Sequence, residues 1–180
     1  MKSIDLIELG YLSTLEIIGE GSIDLLQGQI TSDMAKVTDS QNCLGALCNV
    51  KGKVESSFLI IKKPEFENGF LLIGNREVMK TTENILQKYS PFYKLEMRIN
   101  DDFRFIAIDE GFLSLTFPET DLNLQVQVHE DFLRFHYLAK RFHLLLLKKE
   151  ADCFENKKIS KEVNEWEKDN IMNKDFNIKP

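Results

Sequence analysis

The side chains best suited to chemistry stand in two short stretches of the first third of the chain. In residues 25–33 an apolar start gives way to polar side chains at alternate positions: Gln27, Gln29, Thr31 and Asp33. A helix that only covers a core does not end in four hydrogen-bonding groups so close together. Residues 49–53 stand between two apolar runs, which predicts a β-hairpin whose tip carries Lys51 and Lys53. Helix end and basic tip form a candidate binding site, and the alternative is a plain helix C-terminus followed by a solvated turn.

The charge balance narrows the ligands that such a site can take. The 180-residue chain has a formal net charge of −6 and a pI near 5.2, so it lacks the basic surface that general nucleic-acid binding needs. An anionic ligand must then be captured by a local basic cluster against the overall field. The hairpin offers such a cluster: Lys51, Lys53, Lys62 and Lys63. The alternative is that these lysines are scattered along a solvated edge strand, where they discourage aggregation.

The sequence predicts a soluble cytoplasmic protein without a membrane partner. No apolar run approaches the roughly 20 residues that span a bilayer. The N-terminal stretch has acidic residues and no cleavage-site pattern, so it does not resemble a signal peptide. Three cysteines without a framework spacing indicate a reducing compartment. Cys43 and Cys48 are expected to be buried structural residues, and with Cys153 they do not make an iron–sulfur ligand set.

The elements that position these groups follow an α+β pattern. Ser22 is a candidate N-cap, and a buried helix face follows it at helical spacing: Ile23, Leu26 and Ile30. Asn75 is a candidate N-cap for a second helix that Pro91 should end. The predicted buried face of this helix is Val78, Thr82, Ile85, Leu86 and Tyr89. With its strands the first half has the order β-α-β-β-β-α, which is typical of mainly antiparallel sheets with packed helices.

The second half predicts more strands and then a last helix that begins at Ser160 and carries Trp166. The strands are expected over residues 95–99, 104–108, 124–128, 132–137 and 142–147. Residues 106–115 faintly repeat residues 17–26, a strand running into a glycine turn. The sequence therefore predicts two similar α+β lobes, residues 1–93 and 94–180.

Three histidines recur every seven residues in the second half: His129, His136 and His143. The surrounding pattern predicts strands, and a turn at residues 138–141 makes His136 and His143 cross-strand neighbours. Two imidazoles without a nearby carboxylate or thiolate are a weak ligand set, so we expect an exposed hairpin face and no metal. Three acids at turns and strand ends are expected to serve the backbone rather than catalysis: Asp101, Asp102 and Asp109.

Three motifs follow one another between residues 12 and 89. They are G-x-G-S-x-x-L-x-Q-G-Q-x-T-x-D from Gly19, C-N-x-K-G-K from Cys48 and L-x-K-Y from Leu86. In order and spacing they resemble the YgfZ family of folate-binding proteins, which are relatives of the glycine-cleavage aminomethyltransferase, or T-protein. The resemblance implies the folate-binding fold of those proteins and a tetrahydrofolate ligand. It also implies support of iron–sulfur protein assembly or repair and of tRNA modification, with iron–sulfur proteins as partners.

The comparison with T-proteins bears on catalysis. Those enzymes have a pair of aspartates after the hairpin turn, one of them tied to folate chemistry, and the matching positions here are Ser56 and Ser57. A serine is not an anionic partner at neutral pH, so no catalytic residue is assigned. Aminomethyl transfer and a purely scaffolding role are the alternatives. The family's K-G-C-Y-x-G-Q-E segment and small barrel are absent, so the chain resembles the N-terminal folate-binding part of such a protein.

The resemblance also assigns residues to a folate pocket. Asn75 falls where T-proteins have an asparagine that contacts the pterin, although N-capping explains it equally well. Trp166 is expected to form one wall of the pterin pocket and Tyr11 the opposite wall. The alternative for Trp166 is that it packs the last helix onto the sheet. The helix end, expected to turn inward, and the basic tip complete the set: Gln29, Thr31, Asp33, Lys51 and Lys53.

Overall fold

The computed structural model describes residues 6–136, 142–148 and 154. Over these residues the chain forms ten strands and three α-helices, with short 3-10 turns at Met34–Lys36 and Ser90–Phe92. In chain order the elements are β1 (Leu6–Glu8), β2 (Leu12–Ile18), α1 (Ser22–Gln29), β3 (Cys43–Cys48), β4 (Val54–Lys62), β5 (Gly69–Asn75), α2 (Arg76–Leu86), β6 (Glu96–Asn100), β7 (Phe103–Asp109), α3 (Glu110–Thr116), β8 (Val126–Val128), β9 (Phe132–Phe135) and β10 (Phe142–Lys148). None of the described helices is long and apolar enough to cross a membrane.

The strands form two five-stranded sheets whose described pairings are all antiparallel. The first sheet has the order β3-β4-β5-β2-β6, and the second has the order β1-β7-β10-β9-β8. Helix α2 packs against β2, β4 and β5, and α3 packs against β7 and β10. The predicted α+β class with mainly antiparallel sheets and packed helices is therefore confirmed. The predicted hairpin of β3 and β4 is confirmed with it.

One apolar core joins the two sheets. Phe105 of β7 and Leu144 of β10 belong to the same buried cluster as Ile73 of the first sheet. Along β7 and β10, the residues that alternate with these face the other way. Ile106, for example, packs in a second cluster with Leu113 of α3. The central strands of the second sheet are thus buried on both faces, which explains why their sequences are almost continuously apolar.

Two strand pairings cross the predicted boundary between the lobes. Leu6 of β1 pairs with Ile108 of β7, and Thr14 of β2 pairs with Asn100 of β6. The boundaries 1–93 and 94–180 stay a prediction, because much of the second range lies outside the described residues.

Helix α1 begins differently from the prediction. Ser22 is its first helical residue and is fully buried, and Gly21 holds the N-cap position, so the assignment of Ser22 as N-cap is wrong. The cause is the turn before the helix, which lies against residues 93–95. A Cβ on Gly19, whose φ is +140°, would come 2.4 Å from the backbone oxygen of Lys94. This close approach holds the start of α1 against the rest of the fold.

The buried face of α1 is rotated relative to the predicted one. Leu25 and Leu26 lie three and four residues after the buried Ser22 and share its side of the helix. Ile23 lies on the other side and is 42 % exposed, so its assignment to the buried face is wrong. Ile30, just past the helix end, is buried as expected.

Helix α2 begins as predicted. The side-chain oxygen of Asn75 accepts a hydrogen bond at 3.0 Å from the N–H two residues on, which confirms Asn75 as the N-cap. The helix ends well before the proline predicted to end it, and Tyr89 beyond its end is exposed rather than buried. Its buried residues are Met79, Thr82 and Leu86.

One carboxylate is buried in the middle of β2. Glu16 is 1 % exposed and accepts hydrogen bonds from Lys63 Nζ at 2.8 Å and from Arg98 Nε at 3.1 Å. Burial alone raises the pKa of the Glu16 carboxyl. The hydrogen bonds from Lys63, Asn100 and Arg98, with the charge of Lys63, outweigh burial and lower that pKa below its ordinary value. These contacts tie β2 to β6 and to the turn after β4.

Replacing this carboxylate tests the buried contacts. Glu16→Gln should lower the free energy of unfolding at neutral pH by about 3 kcal/mol, because the buried Lys63 loses its anionic partner. Glu20→Gln is the matched control, since Glu20 and Lys94 form an exposed pair, and it should leave stability nearly unchanged. Urea unfolding measures both variants.

The pH dependence follows from the lowered pKa of Glu16. Its stabilisation is complete above the unfolded value near 4.5 and is lost as the pH falls through the folded value. The stability difference between wild type and Glu16→Gln should therefore shrink below pH 4.5. A difference that stays constant down to about pH 3 contradicts the ionised buried carboxylate.

Candidate functional site

The two polar stretches of the sequence lie at one end of the first sheet. There Ala46 of β3 pairs with Ser57 of β4, and Leu12 of β2 pairs with Asn75 of β5. Continued by two residues, the register of β4 against β5 places Ser57 level with Asn75. These residues make a line across the sheet that we call the end row: Ala46, Ser57, Asn75 and Leu12.

Thr31 borders the end row at the free edge of β3. Its backbone N–H donates to the Ala46 carbonyl oxygen at 2.9 Å, and its hydroxyl oxygen accepts from the Ala46 N–H at 3.1 Å. Ile30 forms a β-bridge with Leu47. Together these contacts cover part of the edge of β3 with the segment that follows α1.

The other polar side chains of this segment also serve the backbone. Gln27 Oε1 accepts from the Met34 N–H at 2.9 Å, and Asp33 Oδ1 accepts from the Ala35 N–H at 3.0 Å. Gln29 is half-buried, whereas Thr31 and Asp33 are exposed, so the expectation that all three turn inward is wrong for the last two. The side-chain oxygens of Thr31 and Asp33 are thus engaged by backbone N–H groups at the surface and do not turn inward.

The basic tip is an ordered turn with its charges in water. The Asn49 side-chain oxygen accepts from the N–H groups of Lys51 and Lys53 at 3.0 and 3.1 Å. Gly52 has φ +74°, a conformation that favours glycine. Both lysine residues are exposed. The turn therefore has a fixed backbone and presents two cations beyond the end row.

Tyr11 and Asn75 lie side by side at the same end of the first sheet as the basic tip, Tyr11 just before β2 and Asn75 at the end of β5. The Arg76 N–H donates to the Tyr11 carbonyl oxygen at 3.0 Å, and Tyr11 is half-buried against the core. The Asn75 side-chain oxygen is engaged in capping α2, so its NH2 group is what it offers a ligand. Trp166, the expected wall opposite Tyr11, lies outside the described residues.

The two serines at the T-protein aspartate positions differ from each other. Ser56 is 3 % exposed and its hydroxyl has no hydrogen-bond partner among the described residues. Ser57 is half-buried in the end row. Neither hydroxyl carries a charge at neutral pH.

The histidines of the second sheet are buried more deeply than predicted. His136 and His143 are neighbours as expected, with ring centroids 5.2 Å apart. His143 is 4 % exposed, however, so the exposed hairpin face is wrong. Its Nδ1 accepts from Arg134 at 3.2 Å, and its Nε2 lies 3.3 Å from Glu110 Oε2. Burial lowers the pKa of His143, and the charges of Arg134 and His136 lower it further.

The cysteines of β3, in contrast to the histidines, are less buried than predicted. Cys43 is half-buried, and burial raises the pKa of its thiol. Cys48 is exposed, because it ends the edge strand where the register with β4 shifts. Within the described ranges, no three His, Cys, Asp or Glu side chains cluster as a metal-ligand set.

Sequence reasoning missed the buried charges. Glu16 and Arg134 are almost completely buried inside apolar strands, and Lys63 is the partner of Glu16. The available signal was a charged residue flanked by apolar ones on a strand, which needs a buried partner. That partner is remote in sequence, so the pattern alone does not identify it.

A cavity of about 370 Å³ lies at the opposite end of the first sheet from the basic tip. Its lining includes Lys63, directly after β4, whereas the tip directly precedes β4. The predicted folate-binding residues that the structure describes do not line it.

No protein-family model matches this sequence, but it is similar to individual known proteins. The chain is 35% identical over 92 residues to a tRNA-modifying protein YgfZ of Klebsiella pneumoniae (strain 342), covering 51% of this chain and 27% of that protein. It is 33% identical over 103 residues to a tRNA-modifying protein YgfZ of Colwellia psychrerythraea (strain 34H / ATCC BAA-681), covering 57% of this chain and 31% of the relative. The chain thus spans about a third of the curated relatives it matches.

A solved structure shares the fold. The glycine cleavage system aminomethyltransferase T from Bartonella henselae superposes with a TM-score of 0.67 at 13% identity, over 80% of this chain and 42% of that one. The resemblance to YgfZ proteins and the T-protein-like fold are therefore confirmed.

The role of Thr31 in holding the edge of β3 is testable. Thr31→Val removes the hydroxyl but keeps the shape, so the Ala46 N–H loses its acceptor and stability should fall by about 1 kcal/mol. Thr31→Ser retains the hydroxyl and should keep most of that stability. Equal unfolding free energies for the Val and Ser variants, measured in urea, contradict this role.

Proposed function

We propose that the chain is a folate-binding module of the YgfZ kind that does not catalyse aminomethyl transfer. The observation that supports this most is the end row of the first sheet. In a fold shared with a T-protein, this row puts Asn75 and the adjacent Tyr11 on the same end of the sheet as the basic tip.

The end row suits an elongated ligand with a flat polar head and an anionic tail. The NH2 group of Asn75 donates to a ring acceptor of the pterin, and the Tyr11 ring packs beside the heterocycle. Lys53 is four residues beyond Ser57 along the same strand direction, or roughly 13 Å at an ordinary strand rise. The glutamate tail of a folate would then extend toward Lys51 and Lys53, where its charge is favoured.

The residues at the T-protein aspartate positions support binding without catalysis. Ser56 and Ser57 are uncharged at neutral pH and do not stabilise the cation of a reacting amine. The buried, unpartnered Ser56 hydroxyl does not replace a carboxylate in that role.

The cellular role is proposed by similarity. Relatives that match half of the chain carry the name tRNA-modifying protein. We propose that the folate-bound chain supports tRNA modification by helping to assemble or repair iron–sulfur proteins, in the cytoplasm. Those iron–sulfur proteins, rather than RNA, are its proposed macromolecular partners, in keeping with the net charge of −6.

The second candidate is a folate-dependent aminomethyltransferase, which the T-protein fold favours. Equilibrium dialysis against tetrahydrofolate, followed by an assay of aminomethyl transfer, separates the two. Binding without transfer supports the module. Transfer supports the enzyme, and the absence of binding rejects both.

The basic tip should contribute a salt-dependent part of the affinity. Lys51→Gln with Lys53→Gln should weaken binding of polyglutamylated folate severalfold at low salt and less at high salt, because exposed charges are screened. Monoglutamylated folate should be affected less. The control is Lys88→Gln with Lys94→Gln, which removes the same charge from exposed positions elsewhere. Wild-type affinity of the tip variant at low salt contradicts a role for the tip.

Trp166 is the only tryptophan, so its emission reports on the proposed pocket wall. Folate stacked on the indole should quench this emission saturably, with the same midpoint as in dialysis. Tyr11→Leu should weaken binding severalfold, since it removes the opposite wall. Unchanged emission at concentrations that bind folate rejects the placement of Trp166.

A further inference from the structure

The segment that joins α3 to β8 covers one face of the second sheet, and we call its residues 117–124 the strap. Phe117 and Leu122 of the strap pack against a buried apolar cluster that includes Phe132 and Leu145. Lifting the strap from this face would expose the cluster to water. The contacts that fasten the strap therefore decide whether the cluster stays covered.

A buried arginine fastens the strap. Arg134 of β9 is 0 % exposed, and its Nη2 donates to the carbonyl oxygens of Asp121 at 3.0 Å and Leu124 at 2.9 Å. Its Nη1 donates to Nδ1 of His143 in β10 at 3.2 Å. The Gln127 side chain also holds the strap, since it accepts from the Asp121 N–H at 2.8 Å. A buried guanidinium needs hydrogen-bond partners, so the strap depends on Arg134 and on the ring that Arg134 faces.

The contact between Arg134 and His143 requires a neutral imidazole. A guanidinium only donates hydrogen bonds, so His143 Nδ1 holds a lone pair. The ring proton is then on Nε2, which lies 3.3 Å from Glu110 Oε2. A second proton has to bind at Nδ1, where it faces an Arg134 N–H, donor against donor and cation against cation. Because Arg134 stays protonated, protonation of His143 breaks this contact.

The other charges near His143 do not remove this conflict. Within the described ranges, the strands, α3 and the strap bring these charged or titratable groups to its face of the second sheet: Glu8, Arg104, Glu110, Glu119, Asp121, His129, Arg134 and His136. Glu8 pairs with Arg104 at 3.2 Å, and Glu119 pairs with His129 at 3.5 Å.

The acid–base balance of His143 favours the neutral ring. Burial lowers its pKa against the hydrogen bond to Glu110, and the charges of Arg134 and His136 lower that pKa further. The unfolded chain takes up this proton near pH 6.5, whereas the folded chain takes it up only at lower pH. The stability that the neutral ring contributes is thus complete above pH 6.5 and is lost as the pH falls through the folded pKa.

We propose that Arg134 and His143 form a pH-operated clasp. At neutral pH the clasp holds the strap on the apolar cluster, and protonation of His143 opens the clasp and loosens the strap. The cluster around Phe132 and Leu145 is then uncovered, while the core that joins the two sheets, a separate cluster, stays packed. The clasp lies in the second sheet and does not depend on the proposed folate site.

The test follows the three histidine rings and the backbone amides of the 15N,13C-labelled full chain by NMR. The pH is lowered from about 7.5 to about 5, above the range in which Glu16 titrates. The Leu122 and Leu124 amides should shift with the same midpoint as the His143 ring, below pH 6.5, and the Leu72 amide of the first sheet should not. Fluorescence of a dye that binds exposed apolar surface should rise severalfold with that midpoint. Strap amides that stay unchanged, or that follow the His129 ring instead, overturn the proposal.

Three variants test the named groups. His143→Asn keeps an acceptor at the position of Nδ1 but does not titrate, so the transition of the strap should be lost. His129→Phe is the matched control, because it removes the other histidine beside the strap and keeps the stack on Phe132, so the transition should persist. Glu110→Gln removes the charge that favours the imidazolium, so the midpoint should fall by roughly half a pH unit.

Thermal melting checks that each variant folds. A transition that persists in His143→Asn overturns the proposal. If His143→Asn does not fold, Glu110→Gln decides, and an unchanged midpoint in that variant overturns the proposal.

Discussion

The apolar core shared by the two sheets is the constraint on which the site depends. Side chains of β4, β5 and β2 alternate between this core and the helices, so a slip of one residue in any of these strands would reverse every face. Burial on both sides makes such a slip very costly. The register it enforces is what sets Leu12 opposite Asn75 and Ser57 opposite Ala46. The position of Tyr11 beside Asn75 therefore depends on the packing of this core, against which Tyr11 itself lies.

Buried charge adds a second constraint on β2. Glu16 has no water to solvate it, so it requires Lys63 and Arg98 in fixed positions. Only one register of β2 against β6 and the turn after β4 provides both. The carboxylate thus favours the native arrangement over shifted ones. The same logic applies to Arg134, which donates to the carbonyl oxygens of Asp121 and Leu124 and to His143.

The sequence predicted features whose causes are local. The β3–β4 hairpin follows from two apolar runs around an Asn-Val-Lys-Gly-Lys turn, and Asn75 caps α2 through a bond to a residue two positions on. Features that depend on remote contacts were not predictable. Ser22 is buried because the turn before it lies against residues 93–95, and His143 is buried between Arg134 and Glu110.

The helix-end polar residues illustrate the same limit for the site. Their spacing indicated a cluster of hydrogen-bonding groups, and they do cluster, but Thr31 and Asp33 serve backbone donors at the surface. From sequence, a side chain that caps an element is not distinguishable from one that binds a ligand. Asn75 can do both at once. Its side-chain oxygen caps α2, and its NH2 group takes no part in the capping bond. The proposed ligand therefore depends on the end row as a whole.

The most direct test of this account is a titration of the 15N-labelled chain with 5-formyltetrahydrofolate, followed by backbone and Asn side-chain amide shifts. Folate bound along the end row should give saturable shifts at Tyr11, Leu12 and the Asn75 NH2 group, with a smaller effect at Lys51 and Lys53. Residues of the far cavity, such as Leu146 and Lys148, should not move. Saturable binding with the shifts confined to the far cavity or to α3, and none at Asn75, would contradict it.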